Sequence, residues 1–369
     1  MKTPDGEGAL RSRPVRIAVT HPYSWPDFRR GAERIVVETT SALAARGHDV
    51  TVFTSGSVPG RTSANGVKIV RFRRLFDDSW KHERSFGYRV VPALVVGRYD
   101  VVHSMSVCDA YCAVRVRKVG GYRVLFDDMG IPDRSYYSTH PEGPYREHLA
   151  RDVDIYACMS DFALEALRRD YGREGSLVPG GVRLTQFPVS TEREKVPTIL
   201  FSGALGEARK GLDVLLEAVA ILDPESPDLR LWLSGQGDPG PILAQAPPEA
   251  LTHVEVLPIG KPDEQGERYG RAWVTALPSI SDSFGLVLLE SLAAGTPIVV
   301  VDDAAPPALV TPATGTIAQP RNAASLADAL RRGLALATDP ATAQRCRDFA
   351  GNYDWDERIA PLLERLYQS

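Results

Sequence analysis

Short apolar runs alternate along this chain with longer segments of helical spacing, and the alternation repeats in both halves. Val15 to Thr20 reads as a first strand, followed by a loop from His21 to Glu33. A helix from about Ala32 to Arg46 is stopped by Gly47, and a second strand runs from Asp49 to Thr54. Further strands are expected at Val67–Arg71, Asp100–Ser104 and Arg123–Asp127, then within residues 152–160 and 176–182. From Arg183 to Pro197 the chain turns polar, with Pro188 and Pro197 as breaks. The alternation resumes with strands at Thr198–Gly203, Arg230–Gly235, Val254–Leu257, Val274–Leu277, Ile298–Val301 and Gly315–Ala318. Helices are expected at Leu212–Leu222, Ser325–Leu336 and Glu357–Tyr367. Strand, helix, strand in that order argues for parallel sheets joined by right-handed crossovers, an α/β class. The organisation reads as a leader at 1–13, a first domain at 14–185, a linker at 186–197, a second domain at 198–352 and a terminal helix at 353–369.

The segment from Ser281 to Pro297 says most about chemistry. After Gly285 the run Leu286–Ala294 is made of strong helix formers, and Gly295 with Pro297 forms a stop signal. Asp282 therefore lies in the loop at the helix mouth and Glu290 inside the helix, about 9 Å from its start. Between the two carboxylates are the first-turn N–H groups, a seat suited to phosphate. A ligand with hydroxyls on either side of a diphosphate, such as a nucleotide-sugar, matches that layout. The plainer alternative is an amphipathic core helix with a capping aspartate.

Composition narrows the class without naming an activity. The chain has 369 residues, enough for two domains, with 43% hydrophobic and 24% charged residues and a net charge of −4. Nothing in that balance calls for nucleic acid. Cys108, Cys112, Cys158 and Cys346 have neither metal-type nor secretory spacing and read as reduced thiols, so the expected location is the cytoplasm. No apolar run reaches the 18 or so residues that span a bilayer, and residues 1–8 lack the apolar core of a signal peptide.

Ser281-Asp-Ser-Phe-Gly followed by a helix bearing Glu290, then Gly-Thr-Pro and the buried run 298–301, closely resembles the donor-site signature of family-4 retaining glycosyltransferases with the GT-B fold. The usual first Glu of that signature is Asp282 here, and the usual first Gly is Ser283. Residues 31–34 and 46–54 resemble the opening unit of the same family, and residues 152–160 and 176–182 its last two first-domain strands, with Gly180 where Asn is usual.

The resemblance implies two Rossmann-like parallel-sheet domains facing a cleft, and a hexosyltransferase-type enzyme needing no cofactor and no metal. By it, Glu290 holds the nucleotide ribose and Asp282 the hydroxyls of the donor sugar. The N–H groups of Phe284, Gly285 and Leu286, beside Ser283, take the leaving phosphate. Gly31 lets backbone approach the donor, unless it is merely a helix-start glycine. The loop after Gly203 supplies Arg209 and Lys210 to the diphosphate. Lys210 matches a family position, whereas the family's usual Arg after the first glycine is Ala204 here. Arg209 is the substitute, or simply one of a solvated basic pair.

His103 matches a family histidine near the donor sugar and joins Asp282 and Lys210 as a catalytic candidate; a buried structural histidine is the alternative reading. The second histidine of that family pattern is Met105 in this chain. His21 and Tyr23 are candidates for acceptor contact. Asp127-Asp128 and Asp302-Asp303 read as solvated or capping pairs. The stretch 61–123 is rich in Lys and Arg with Phe72, Phe76, Trp80 and Phe86 interleaved, a candidate for peripheral membrane contact against the simpler reading of a solvated face over ordinary core aromatics. The leading function is transfer of a sugar from a nucleotide-sugar, UDP-linked by family habit, to an acceptor hydroxyl. The rival is a nucleotide-sugar-binding partner without turnover, to which Ala204, Met105 and Asp282 lend support.

Overall fold

The computed structural model describes residues 13–25, 27–28, 30–190, 192–260 and 262–369. The expected leader, apart from Arg13, lies outside the described residues. The first sheet contains β1 (Arg16–Thr20), β2 (Asp49–Gly56), β3 (Gly60–Ala64), β4 (Val67–Arg73), β5 (Val101–Ser104), β6 (Arg123–Asp128), β7 (Ile155–Cys158) and β8 (Ser176–Leu177), in the order β3-β4-β2-β1-β5-β6-β7-β8. The second contains β9 (Thr198–Ser202), β10 (Arg230–Ser234), β11 (Val254–Val256), β12 (Val274–Leu277), β13 (Ile298–Val301) and β14 (Gly315–Ala318), in the order β11-β10-β9-β12-β13-β14. The pairings are parallel except β3 with β4, where an exposed five-residue edge strand runs antiparallel.

By its internal contacts the chain forms two compact units. One takes in residues up to Asp127, 139–156 and 360–369; the other takes in 128–138 and 157–359. The stretch 186–197, read as a linker, thus falls within the second unit, and the last helix groups with the first.

The second unit is cored by one cluster. Ile199 and Phe201 of β9, Leu231 and Leu233 of β10, Val274 of β12 and Val299 of β13 meet Leu215, Leu216 and Val219 of the helix Leu212–Leu222 and Leu326 and Leu330 of the helix Ala323–Ala337. Each such side chain contributes about 1.5–3 kcal/mol through burial. Covered on both faces, these strands are continuous apolar runs rather than alternating ones. Two half-buried arginines tie the polar stretch before β9 to this body. Arg193 donates to the carbonyls of Ala272 and Gly295, and Arg347 to those of Phe187 and Ala293.

In the first unit the final helix, Ala360–Gln368, is held by its polar side chains. Glu364 accepts from Arg46 at 2.7 Å and meets His48 Nε2 at 2.8 Å. Burial would raise the Glu364 carboxyl, but the hydrogen bonds from Arg46 and His48 hold it below its ordinary value. The helix is preceded by a π-type turn at Trp355–Ile359, where the sequence had suggested that the helix begins at Glu357.

Candidate functional site

The second unit gathers most of the expected donor residues at the carboxyl ends of β9 and β12, where open α/β sheets take ligands. β9 runs out into Gly203, packed so closely on the residue after β10 that a Cβ on Gly235 would lie 1.6 Å from the Gly203 carbonyl oxygen. The chain then makes a 3₁₀ turn at Ala208–Lys210. Gly211 follows with φ of 74°, and a Cβ there would lie 2.3 Å from the Pro278 carbonyl oxygen. That close approach sets the loop after β9 against the loop after β12, and Ile280 N–H donates to the Arg209 carbonyl at 2.9 Å.

Lys210 and Asp282 meet as a result. Lys210 Nζ donates to Asp282 Oδ2 at 2.6 Å, with both side chains largely buried. Burial by itself would push the Asp282 carboxyl up, but the charge and hydrogen bond of Lys210, with help from Arg209, hold it below the usual aspartate value. Arg209 is more distant. Its Nη1 is 3.9 Å from Asp282 Oδ2, while its Nε lies 3.0 Å from Glu207 on a half-exposed side chain. It is a weaker neighbour of the site than Lys210, and Ala204 adds no charge.

The loop into the helix Leu286–Ala293 is tightly specified. Ser281 adopts φ of 53°, uncommon for a residue with a Cβ, and its N–H donates to Asp303 Oδ1 at 2.6 Å. Gly285, with φ of 92°, precedes the first helical turn. The N–H of Phe284, expected to face phosphate, points instead at Asp282 Oδ1 at 3.4 Å. In the first turn the N–H groups of Leu288 and Leu289 donate to the Gly285 carbonyl, at 2.9 and 3.4 Å, which leaves those of Leu286 and Val287 as the amides with no acceptor within the helix. Ser283, beside them, is only half-buried.

Glu290 lies inside the helix, 5% exposed, and accepts from the Tyr269 hydroxyl at 2.9 Å. Burial and the Glu290 charge push the Tyr269 phenol far above its ordinary value, so it stays a donor. The same hydroxyl lies 3.0 Å from Ser202 Oγ at the end of β9. Tyr269 was not singled out from the sequence, because a lone tyrosine in a polar helix carries no pattern. Gly180 also belongs here: a Cβ on it would come within 2.6 Å of Leu286 and 2.9 Å of Phe284.

The first unit holds the other candidates, and most are buried. His103 has no exposed surface; its Nδ1 lies 2.8 Å from the Tyr367 hydroxyl and its Nε2 3.4 Å from Asp127 Oδ2. Of its two readings, the buried histidine matches these surroundings, because protein groups occupy both nitrogens. Met105, two residues on, is buried as well. His21 is 4% exposed, with its ring nitrogens 3.3 Å from the Met105 carbonyl and from Glu33. Tyr23 is buried as well and donates to Glu83 at 3.0 Å. Burial also raises its phenol, and the Glu83 charge adds to the shift. Gly31 is exposed and opens the helix Gly31–Ala45, whose start is capped by Glu33 accepting from Arg30 N–H at 3.1 Å.

Asp127 and Asp128, read as solvated or capping, are 3% and 2% exposed, and Asp128 Oδ1 accepts from the Gly130 N–H at 3.1 Å. Residue 127 is the penultimate residue of β6, an internal strand flanked by β5 and β7, so alternation along the strand could not carry it to solvent. Of Phe72, Phe76, Trp80 and Phe86, only Phe76 is exposed; Phe72 and Phe86 pack edge-on and Trp80 meets Tyr145. Leu75, Tyr88, Val96 and Val119 are exposed beside the basic residues. No helix among the described residues is long and apolar enough to cross a membrane.

Two family descriptions divide the chain between them. "Glycosyl transferases group 1" matches residues 182–351, which contain Lys210, Asp282 and Glu290, and "Glycosyltransferase Family 4" matches residues 29–186. A phosphatidyl-myo-inositol mannosyltransferase of Mycolicibacterium smegmatis is 30% identical over 96% of this chain and 94% of its own. Among solved structures, sucrose-phosphate synthase from Thermosynechococcus elongatus superimposes with a TM-score of 0.80 at 22% identity, over 96% of this chain and 98% of its own. The Anabaena protein HepE, solved in complex with UDP-glucose, superimposes with a TM-score of 0.74 at 13% identity, over 96% and 100%. With Lys210 and Asp282 paired at the mouth of a helix that carries Glu290, on two Rossmann-like parallel-sheet domains, the chain belongs to the group 1, family-4 glycosyltransferases of the GT-B fold.

Proposed function

We propose that this glycosyltransferase moves a sugar from a nucleotide-sugar to a hydroxyl of a polyol-bearing acceptor, with retention at the anomeric carbon and without a metal. The observation that carries the reading is the Lys210–Asp282 pair at 2.6 Å beside the first-turn amides of Leu286 and Val287, with Glu290 about one turn further into the same helix. In this scheme the Lys210 ammonium turns to the diphosphate when the donor enters, and the Asp282 carboxylate, freed of its partner, accepts from hydroxyls of the sugar. Glu290 accepts from the ribose hydroxyls. The acceptor oxygen bonds to the anomeric carbon as the bond from that carbon to the phosphate oxygen breaks. The acceptor proton passes to the departing phosphate on the same face. Lys210 and the amides at Gly285 and Leu286 meet the charge that develops there, normally the largest catalytic contribution.

The donor is read as UDP-linked, as in HepE, with GDP-mannose as the competing case because the relative at 30% identity is a mannosyltransferase. That relative's name also supports a lipid-linked polyol as acceptor. The exposed Leu75, Phe76, Tyr88, Val96 and Val119 among basic residues fit a peripheral contact with an anionic membrane. Four buried free thiols fit a reducing, cytoplasmic setting.

Incubation with UDP- and GDP-sugars, with and without phosphatidylinositol vesicles, tests the reading. Donor-specific release of nucleoside diphosphate supports it. Thermal stabilisation by a donor without any release would favour a binding partner that has lost turnover.

A further inference from the structure

A line of polar side chains runs across the carboxyl ends of β9 and β10. Ser202 and Ser234 end those strands as register partners, so their hydroxyls stand on one face of the sheet. The helix Pro262–Arg271 meets that face with Gln265, Arg268 and Tyr269, the last two lying three and four positions after the first. Arg268 Nη1 donates to Ser234 Oγ at 3.0 Å, and Ser234 Oγ lies 2.9 Å from Gln265 Oε1. Gln265 Nε2 is 3.1 Å from Ser202 Oγ, which is 3.0 Å from the Tyr269 hydroxyl. Tyr269 donates to Glu290 Oε2 at 2.9 Å.

The two ends fix the direction of every link between them. A guanidinium has only hydrogens to give, and an ionised carboxylate only accepts. Tyr269 has a single hydrogen, and Glu290 takes it. The Ser202 hydroxyl therefore supplies its own hydrogen to the phenol oxygen and accepts from the Gln265 amide. Gln265 Oε1 accepts from Ser234, which accepts from Arg268. Burial and the Glu290 charge keep the Tyr269 phenol protonated, so the last link stays in place. Ser202, Ser234 and Tyr269 are 5%, 2% and 0% exposed, which leaves water little chance to compete for their hydrogens. Hydrogen bonds in such a series polarise one another.

We infer that Arg268 is a positioning residue for Glu290, acting through Ser234, Gln265, Ser202 and Tyr269, and that this one-way chain sets how strictly the donor site requires a ribose. Arg268 itself need touch no nucleotide. With the Tyr269 hydrogen committed to Oε2, the Glu290 carboxylate keeps one orientation. A nucleotide without its 2′-hydroxyl then leaves a buried acceptor unmatched, which is costly. A carboxylate released by Tyr269 can turn to another donor, and the missing hydroxyl costs less. The inference rests on the nucleotide-sugar reading above and deepens it, because it names what makes Glu290 selective.

Calorimetric titration with UDP, GDP and their 2′-deoxy forms tests it. The wild type should prefer the ribonucleotide it binds by about tenfold or more, the loss of one hydrogen bond to a charged group. Arg268→Met should reduce that preference by about threefold or more, as should Gln265→Glu, which keeps the side-chain size but has no hydrogen for Ser202. Arg268→Lys, which keeps a cationic donor, should retain more of the preference than Arg268→Met. The double variant should lose little beyond either single one, because links in series fail together.

A wild type that does not discriminate, a preference unchanged in both variants, or losses that add would overturn the chain. Equal weakening of the ribo and deoxy forms would do so too, because it is the mark of a direct contact or of general loosening. If the wild type binds none of these nucleotides, the nucleotide-sugar reading fails instead. The chain is then decided by carbon NMR of the Tyr269 ring carbon that bears the hydroxyl. A shift of that signal in folded Ser234→Ala upholds the chain, and an unmoved signal overturns it.

Discussion

Lys210 Nζ lies 2.6 Å from Oδ2 of Asp282, a residue 72 positions later in the chain. Neither side chain is well solvated, so each charge is compensated chiefly by the other. Removing one leaves a buried charge without compensation, which costs more than the pair contributes as a unit. Lys210→Ala is expected to reduce nucleoside diphosphate release by at least about a hundredfold, the loss typical of removing one donor to developing charge. Steady-state turnover with the best donor of a nucleotide-sugar panel checks this. Unchanged turnover would remove Lys210 from the site.

Glu290 and Tyr269 should separate donor binding from chemistry. Glu290→Ala is expected to weaken nucleotide-sugar binding about tenfold or more, because two ribose hydroxyls lose their acceptor. Tyr269→Phe removes only the hydroxyl that orients Glu290 and should weaken binding less than Glu290→Ala does. Calorimetric titration with UDP and GDP measures both, and an inverted order would mean that Glu290 does not face the nucleotide.

The first unit carries a pH-dependent element. Burial, reinforced by the Glu142 charge, lifts the Glu83 carboxyl to about 7, above its ordinary 4.5. Its protonated form is therefore favoured in the folded chain, and stability declines as pH rises from about 4.5 to about 7. Glu83→Gln keeps an acceptor for the Tyr23 hydroxyl and has no proton to lose. The variant should gain melting temperature relative to the wild type at pH 8 and show little difference at pH 4.5. Equal differences at both values would reject the burial argument.

The glycine contact between β9 and β10 predicts a contrast in stability. Gly235→Ala would drive a methyl into the Gly203 backbone and should lower the melting temperature sharply or prevent folding. Gly121 also has a left-handed φ, 72°, but nothing lies within 4 Å of a Cβ there. Gly121→Ala should cost only the conformational penalty of about 1 kcal/mol, a few degrees at most. Thermal unfolding of the two variants side by side decides the matter.

How much of this could be read from residues alone depended on burial. Leu212–Leu222, Val274–Leu277, Ile298–Val301 and Gly315–Ala318 were legible to the residue, because buried segments must be apolar and glycine, proline and polar residues bound them sharply. β3 was not legible: Gly60-Arg-Thr-Ser-Ala is exposed throughout, and backbone pairing with β4 needs no side-chain pattern. The positions of Asp282 at the helix mouth and Glu290 within it followed from helix start and stop signals. The Lys210–Asp282 pairing did not, since it depends on Gly211 seating one loop on another. His103 shows the limit most plainly. The family resemblance left it between a substrate contact and a buried structural role, and its neighbours Tyr367 and Asp127, 264 and 24 positions away, could be found only in three dimensions.

Glu364 reaches Arg46 across 318 positions of chain. During synthesis the strands of the first unit emerge ahead of most of the second unit, yet the helix that seals them is made after it. The second unit, most of it one continuous stretch, has all its parts before that helix appears. Folding on the ribosome should therefore finish in the reverse of the order in which the two units begin. The early-made half would wait, incompletely closed and dependent on chaperones, until residues 360–368 dock.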